Sequence, residues 1–320
     1  MMPFVFVGGL FTLVSCATMT SAPNIFKSDE YIIYRLQEEE TSAVLAERFL
    51  GDKNRLWVIE DANEKVSFKK NEVIVIPLKE ENIGGVTMDG FQVVPILSYH
   101  HFAEDCDSPL CMPASGFDLQ MKYLKENGYR VISTRELHAF LNYRHPLPKK
   151  SLVISIDDGY RSVYDIAFPI LKKYGFTATL FIYTDFVGAS RNAISWDQLR
   201  EMKAAGFEVG SHSLSHADLT QKLEGEDDDT YISRIERELR VSKEILDKEL
   251  AQNTLSLAFP FGRYDSRTLV ISERLGYEIG ASVKSGSNPF FADPLALRRS
   301  QVLQDDLSTF VSKVKTFENF

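Results

Sequence analysis

Hydrophobic and polar positions divide the chain into four segments. Residues 1–15 are almost wholly apolar, but this run is too short to span a bilayer. Between residues 28 and 79 the pattern predicts a strand, two helices and a closing strand. Residues 80–92 predict a linker, because the stretch is polar and contains two adjacent glycines. Residues 93–320 alternate between helix-like and strand-like patterns, so we expect one large α/β domain after the small module.

One join recurs along the large domain: a helix ends at glycine, an aromatic residue follows, and a strand begins. Glycine supplies the left-handed position after a helix, and the ring packs back on the helix that has ended. Two helix starts fit capping boxes, at Ser133 with Glu136 and at Ser195 with Gln198. Repeated strand–helix units favour a parallel sheet, open or closed. The joins are Gly128-Tyr129, Gly175-Phe176, Gly206-Phe207 and Gly276-Tyr277.

Polar or turn-forming residues follow four of the predicted strands. In parallel sheets with helical crossovers, the chemistry gathers at the carboxyl ends of the strands. These residues are therefore expected to share one rim of the sheet. They are His100-His101 after residues 94–99, Asp157-Asp158 after residues 151–156, Ser211-His212 after residues 207–210, and Pro260-Phe261-Gly262 after residues 255–259.

Two pairs on this rim suggest a metal site. His212 and His216 stand four residues apart, so a helical turn would place both rings on one face. Asp157 and Asp158 end a mainly apolar strand, where alternation points neighbouring side chains in different directions. One carboxylate and two imidazoles leave open positions on a catalytic metal, and a second carboxylate can act as general base. Either pair alone also fits a surface histidine pair or an ordinary turn.

Three motifs of the large domain resemble those of NodB-like polysaccharide deacetylases. They are Ile156-Asp157-Asp158-Gly159, Ser211-His212-Ser213-Leu214-Ser215-His216 and Ala258-Phe259-Pro260-Phe261-Gly262. The resemblance covers about residues 93–320 and implies a distorted, incomplete (β/α) barrel. It also implies a hydrolase that removes acetyl groups from N-acetylglucosamine-containing polymers such as peptidoglycan, chitin-like chains or poly-N-acetylglucosamine, releasing acetate.

The resemblance implies a role for each of the paired residues. Asp158, His212 and His216 are expected to hold a divalent metal ion, most simply zinc, with Co²⁺ or another divalent ion as the alternative. Asp157 is expected to be the general base that takes a proton from the attacking water. The backbone N–H of Phe261 is expected to stabilise the oxyanion.

Three more residues complete the site that the resemblance implies. His100 is expected to be the general acid, because no histidine follows His216 and some relatives carry the catalytic histidine in an earlier Tyr-His pair. Tyr99, the tyrosine of that pair, is expected to contact the substrate. Many members have an arginine where this chain has Ala258, so Arg299 is expected to orient the base from a later strand; a surface arginine is the alternative reading.

The small module between residues 28 and 79 resembles a LysM domain. The matching stretches are residues 45–49, 61–63 and 75–77. This resemblance implies binding to glycans that contain N-acetylglucosamine. A packing module without a glycan site is the alternative.

The N-terminal segment, residues 1–16, resembles a bacterial lipoprotein signal, although no lysine or arginine precedes the apolar run. It ends in Leu13-Val14-Ser15-Cys16, so we expect an exported protein of the cell envelope with a membrane lipid anchor on Cys16. Cys106 and Cys111 flank a turn-favouring Ser-Pro. They are compatible with a short-loop disulfide, which suits an exported protein, or with two free thiols.

The net charge and the second aspartate argue against two other classes of function, and two alternatives remain. The formal net charge of −9 argues against nucleic acid as a partner, because neutralising phosphates needs a basic face. An iron oxygenase could use two histidines and one carboxylate, but it would leave Asp157 without a role. An O-acetyl esterase acting on a xylan-like polymer and a catalytically silent glycan-binding protein are the remaining alternatives. The sequence leaves the oligomeric state open.

Overall fold

The computed structural model describes residues 24–64, 66–79, 82–304 and 306–320. The chain divides into two compact units, residues 1–79 and residues 80–320, which we name the N-terminal and C-terminal units. The predicted lipoprotein signal and Cys16 lie outside the described residues. Among the described residues, no helix combines the length and the hydrophobicity needed to cross a membrane.

The N-terminal unit is a three-stranded antiparallel sheet with two short helices. The strands are β1 (Asn24–Lys27), β2 (Tyr31–Arg35) and β3 (Val73–Pro77), with β2 in the middle, and the helices are α1 (Ser42–Leu50) and α2 (Leu56–Ala62). The predicted order strand, helix, helix, strand is present as β2, α1, α2 and β3, and β1 is an addition. Alternate residues of β2 and β3 are buried, so one face of the sheet packs on the helices.

Local sequence explains where α1 begins and ends. The Thr41 side chain accepts a hydrogen bond from the N–H of Val44, which satisfies one of the free donors of the first turn. Gly51 follows the helix with φ 72°, a left-handed conformation that costs glycine little. The buried Leu45 and Ala46 face the sheet, so the amphipathic pattern read from the sequence is the one that the helix uses.

The C-terminal unit alternates strands and helices along the chain. Its strands are β4 (Gly90–Tyr99), β5 (His101–Ala103), β6 (Cys111–Pro113), β7 (Arg130–Val131), β8 (Ser151–Asp158), β9 (Thr179–Ile182), β10 (Glu208–Ser211), β11 (Ser256–Ala258), β12 (Ile279–Ala281), β13 (Ser287–Pro289), β14 (Ser300–Gln301) and β15 (Phe317–Asn319). Its helices are α3 (Ala114–Glu126), α4 (Thr134–Leu141), α5 (Phe168–Tyr174), α6 (Trp196–Ala204), α7 (Asp228–Leu250), α8 (Ser266–Arg274) and α9 (Leu307–Lys313).

The main sheet is open and curled, in the order β12-β11-β10-β9-β8-β4-β13. Strands β12 to β4 are parallel, while β13 and β15 pair with β4 in the antiparallel direction. The expected α/β class and the open, incomplete barrel are therefore confirmed. The capping boxes at Ser133 and Ser195 are also present. The strand β4 begins at Gly90, inside the segment that was predicted to be linker.

Side-chain alternation along β4 and β8 decides which residues enter the core. Leu97 and Tyr99 lie in the same buried cluster as Ile154 and Ile156, whereas Ile96 lies in a second cluster. The Tyr99 ring is fully buried and its hydroxyl donates to Gln120 at 2.9 Å. The expectation that Tyr99 contacts the substrate was therefore wrong, because alternation turns it into the core together with Leu97.

A short disulfide joins Cys106 and Cys111, whose Cα atoms are 5.5 Å apart. It closes the loop between β5 and β6, two strands that pair in parallel with His101 opposite Cys111. Of the two readings that the sequence left open, the structure contains the disulfide. The covalent link constrains the strand that immediately follows His100.

Candidate active site

Asp158, His212 and His216 converge at the carboxyl edge of the sheet. One ligand atom from each residue lies within 4.8 Å of the others. Oδ1 of Asp158 is 3.6 Å from Nε2 of His212 and 3.5 Å from Nε2 of His216. Asp158 ends β8 and His212 directly follows β10, so the predicted rim brings these side chains together. A carboxylate oxygen and two imidazole nitrogens form a donor set suited to zinc and related divalent ions.

The segment that carries the two histidines, residues 211–216, is not a helical turn; we name it the histidine loop. Ser213 and His216 have φ values of 68° and 62°, which lie in the left-handed region. A helical turn, the geometry that would place both rings on one face, is therefore not formed by this segment, yet the two rings do meet with their centroids 4.8 Å apart. The loop reverses direction through its left-handed residues, and the Ser213 hydroxyl accepts a hydrogen bond from the N–H of His216 at 3.0 Å.

Both histidines are suited to act as neutral metal ligands. Nδ1 of His212 lies 2.7 Å from the carbonyl oxygen of Ala258, which places the ring proton on Nδ1 and leaves Nε2 free to face the cluster. Burial lowers the pKa of His212 to about 4 and also lowers the pKa of His216. Metal binding requires unprotonated imidazole, so these residues fit a divalent cation.

Asp157 forms a buried ion pair with Arg299. The guanidinium donates to both carboxylate oxygens, at 2.7 and 2.8 Å, and neither side chain is exposed. Arg299 also donates to the carbonyl oxygen of Ser282 at 2.8 Å and to the Ser155 hydroxyl at 3.2 Å. The alternative of a surface arginine is excluded, because the bidentate contact and full burial hold Arg299 in one orientation behind Asp157.

The two adjacent aspartates have opposite pKa shifts. Burial acts to raise the pKa of Asp157, but the charge and hydrogen bonds of Arg299, together with the charges of His212 and His100, outweigh it and hold the pKa at about 2. Burial and then the negative charge of Asp157 raise the pKa of Asp158 to about 7. Such a divergence between neighbouring carboxyl groups is typical of catalytic sites.

Known proteins with related sequences match the region that contains this site. The sequence model of the polysaccharide deacetylase family matches residues 144–280. The Bacillus subtilis protein YxkH is 30% identical over 209 residues, which make up 65% of this chain and 71% of that protein. A solved structure, the Streptococcus pyogenes deacetylase PplD in complex with acetate, is 30% identical with a TM-score of 0.64, covering 70% of this chain and 98% of PplD. This chain belongs to the polysaccharide deacetylase family.

The name of a third relative states its substrate. The poly-beta-1,6-N-acetyl-D-glucosamine N-deacetylase of Staphylococcus epidermidis is 28% identical over 211 residues, covering 63% of this chain and 71% of that enzyme. The family match and these relatives make the present protein a deacetylase, a hydrolase of acetyl groups. The expectation drawn from the three motifs is confirmed at that level.

Of the two rim histidines, His100 is the one beside the aspartate pair of the deacetylase. Burial lowers the pKa of His100, and the charges of Asp157, Arg299 and His216 also act on it. His101 instead lies with its ring centroid 5.1 Å from that of Tyr160. Nδ1 of each ring is buried and makes no hydrogen bond with the described residues. His100 is thus placed where a proton can be moved, while its lowered pKa favours neutral imidazole at pH 7.

Phe261 lies beside His216 in the deacetylase site. Its φ of 58° places it in the left-handed region within the turn Pro260–Gly262, its side chain is half exposed, and its ring lies 4.7 Å from that of His216. It ends a row of rings along the rim in which successive centroids are 4.7–5.5 Å apart. The row consists of Tyr160, Phe186, Tyr183, His216 and Phe261.

Sequence reasoning missed one residue that acts on this site. Glu238 lies on α7, far from the histidine loop in the sequence, and its buried carboxylate accepts hydrogen bonds from that loop. A signal was present, because Glu238 interrupts the apolar stripe of a long amphipathic helix. An acidic residue at a core position needs a partner, and the partner turns out to be the histidine loop.

Proposed function

We propose that this deacetylase removes N-acetyl groups from a polysaccharide that contains N-acetylglucosamine, and that it requires a divalent metal ion, with zinc expected. The observation that carries the proposal is the cluster of Asp158, His212 and His216 beside the ion pair of Asp157 and Arg299. The named substrate of the Staphylococcus epidermidis relative supports the choice of polymer. The exposed ring of Phe261 and the partly exposed rings beside it along the rim offer apolar faces to a sugar chain.

The metal ion would be held by Asp158, His212 and His216. When bound, it would supply Lewis acidity that polarises the acetamide carbonyl and lowers the pKa of water. Asp157 accepts a proton from the water that attacks the carbonyl carbon, and Arg299 keeps that carboxylate ionised and aimed. Because the carboxylate is fixed before the reaction begins, its orientation needs no rearrangement during turnover.

The remaining residues handle the oxygen and the leaving group. The backbone N–H of Phe261 donates a hydrogen bond to the carbonyl oxygen as negative charge develops there. His100 donates a proton to the amine nitrogen as the carbon–nitrogen bond breaks. Water supplies the new oxygen, so the products are acetate and a glucosamine unit.

Acetate release from a panel of polymers tests this function. We expect release from poly-N-acetylglucosamine, chitooligosaccharides or peptidoglycan, its loss after chelation, and its return with added Zn²⁺. Release from acetylxylan alone would replace the proposal with an O-acetyl esterase. No release from any polymer, with binding intact, would leave a catalytically silent glycan-binding protein. The orientation of Arg299 removes the main reason for that last reading, which was the arginine missing from the third motif.

The N-terminal unit is proposed to be a LysM-like glycan-binding domain that concentrates the enzyme on its polymer. The order β2, α1, α2, β3 supports this, as do the matching stretches of sequence. Deleting residues 24–79 should reduce activity on insoluble polymer more than on short soluble oligomers, because only the former gains from a second binding site. Equal losses on both would indicate a packing role.

Export and lipid anchoring at Cys16 complete the proposal. The disulfide of Cys106 and Cys111 supports export, because such bonds persist in oxidising compartments. Mass spectrometry of the mature protein from its native host should find an acylated Cys16 at the N-terminus. An unmodified Met1 in that sample would contradict both export and anchoring.

A further inference from the structure

We propose that Glu238 and Ser242 are positioning residues that hold the histidine loop in its metal-binding shape. The two residues lie one turn apart on α7, and both face inward. The inference rests on the proposed metal site and concerns residues outside the three motifs. It assigns to α7 a role in the chemistry of the site besides its role in the core.

The buried face of α7 is apolar except at these two positions. An acidic group on that face would be costly without hydrogen-bond partners, since burying an unpaired charge strongly disfavours folding. Of the described residues on this face, the apolar ones are Tyr231, Ile235, Leu239, Leu246 and Leu250. The two polar positions therefore point to a specific partner across the helix–sheet interface.

That partner is the middle of the histidine loop. One carboxylate oxygen of Glu238 accepts from the N–H of Leu214 at 3.1 Å and from the N–H of Ser215 at 2.9 Å. The other oxygen accepts from the Ser215 hydroxyl at 2.8 Å. Hydrogen bonds to an ionised acceptor are stronger than neutral ones, so three such bonds fix two successive residues between the metal histidines.

Neighbouring contacts show that the loop supplies the partners of this carboxylate. Arg234, which lies one helical turn before Glu238, donates to both oxygens of Glu226 at 2.7 and 2.9 Å and to the carbonyl of Gln221. Its guanidinium is thus engaged elsewhere. The Glu238 carboxylate accepts hydrogen bonds from the histidine loop, and the residue is only 5% exposed to solvent.

Ser242 secures the start of the loop. Its hydroxyl lies 2.8 Å from that of Ser211, and the Ser211 hydroxyl also accepts from the N–H of Ser213 at 3.2 Å. On the other side, the N–H of Asp185 donates to the carbonyl of Leu214 at 2.9 Å. The loop is therefore held between α7 and the segment after β9.

The loop needs this support because its conformation is strained. Ser213 and His216 both have positive φ, a region that non-glycine residues occupy only at an energetic cost. His212 has independent anchors, through its N–H to Ile182 and its ring to Ala258. Loss of the α7 contacts should therefore displace His216 more than His212 and weaken the metal site.

Zinc affinity of the full chain, measured by competition with a chromophoric chelator, tests the proposal. Glu238→Met removes both oxygens at similar side-chain length, and we expect about 10–100-fold weaker Zn²⁺ binding, the range for residues that orient metal ligands. Glu238→Gln keeps an oxygen that accepts from the two N–H groups, and its amide can donate to the Ser215 hydroxyl. Its loss of Zn²⁺ affinity should therefore stay below about tenfold. Ser242→Ala should weaken binding by less than Glu238→Met.

Glu244→Met is the matched control, because Glu244 is an exposed residue of the same helix paired with Arg240. It should bind Zn²⁺ as the parent does. The visible spectrum of the Co²⁺-loaded protein should change in Glu238→Met and stay unchanged in Glu244→Met. If Glu238→Met does not fold, as judged by circular dichroism, Glu238→Gln and Ser242→Ala decide the matter.

The outcomes separate this inference from the proposed function. Parent-like Zn²⁺ affinity and Co²⁺ spectrum in every folded Glu238 and Ser242 variant would overturn the positioning role alone. A parent protein that binds neither ion would overturn the metal site and this inference together. Weakened Zn²⁺ binding in the Glu238 and Ser242 variants, with Glu244→Met unchanged, supports both the metal site and the positioning role.

Discussion

Asp157 and Asp158 are chemically identical neighbours in two very different surroundings. Both are largely buried, but Asp157 has a guanidinium on both of its oxygens, while Asp158 faces two neutral imidazoles. The pKa of Asp157 is held at about 2, and the pKa of Asp158 is raised to about 7. One carboxylate is thus charged at every working pH, and the other is readily protonated in the metal-free protein.

This difference suits the two functions that we propose for one strand end. Asp157 keeps the extended strand conformation and meets Arg299 in the interior, whereas Asp158 has φ of 75° and leaves the strand toward the histidines. Arg299 already compensates the charge of Asp157, so that residue needs no metal. Among the described residues, Asp158 has no lysine or arginine in a salt bridge, so it is suited to accept a metal cation as a ligand.

Replacing each aspartate in turn should give the largest effect. Asp157→Asn should retain Zn²⁺ and lose about 10²–10⁴-fold in kcat, the usual contribution of a general base. Asp158→Ala should lose both Zn²⁺ and activity, because a ligand is gone. Metal content and steady-state kinetics check both variants, with exposed Asp197→Asn as the control. Full activity in Asp157→Asn would contradict the assignment of the base.

The ion pair between Asp157 and Arg299 can also be broken by replacing the arginine. Arg299→Met should lower the free energy of unfolding by about 3–5 kcal/mol, because it leaves a buried carboxylate unpaired. Adding Asp157→Asn should recover part of that loss, since the neutral amide is less costly to bury. Urea unfolding in the presence of a chelator measures both. A double variant as unstable as the sum of the single changes would show that the pair is not coupled.

Replacing His100 tests whether its imidazole supplies the proton for the leaving amine, which neither aspartate is proposed to do. His100→Ala should retain Zn²⁺ and lose about 10²-fold in kcat, while His101→Ala, the adjacent control, should change little. The pKa of His100 is lowered from 6.5, mainly by burial, so its acidic form is lost as pH rises through a value below 6.5. Activity that depends on this proton should therefore decline toward higher pH. The reverse ranking of the two variants would move the role to His101.

The raised pKa of Asp158 predicts how metal binding depends on pH. A carboxyl group with a pKa of about 7 must lose its proton to bind a cation, so Zn²⁺ affinity should fall about tenfold for each pH unit below 7. Calorimetry in buffers of different ionisation enthalpy should detect proton release on Zn²⁺ binding at pH 6. Affinity that is flat between pH 5 and 7 would contradict the raised pKa.

Local patterns predicted much of the fold and of the site. The glycine–aromatic joins, the capping boxes and the polar strand ends required only neighbouring residues, and each is present in the structure. Alternation along β4 places Tyr99 on the same face as Leu97, and that face is buried in the core. The substrate contact expected for Tyr99 conflicts with this alternation. The spacing of His212 and His216 is compatible with one helical face, but spacing cannot show that hydrogen bonds stabilise a left-handed turn there instead.

By itself, the sequence determined which side chains reach the carboxyl edge of the sheet, because strand ends and their following residues are local features. Only the tertiary structure decided what each of them does there. Arg299 and Glu238 reach the site from far along the chain, one behind Asp157 and the other behind the histidine loop. Such partners depend on how strands and helices pack, and packing keeps one aspartate ionised, as the proposed base requires, and makes its neighbour a candidate metal ligand.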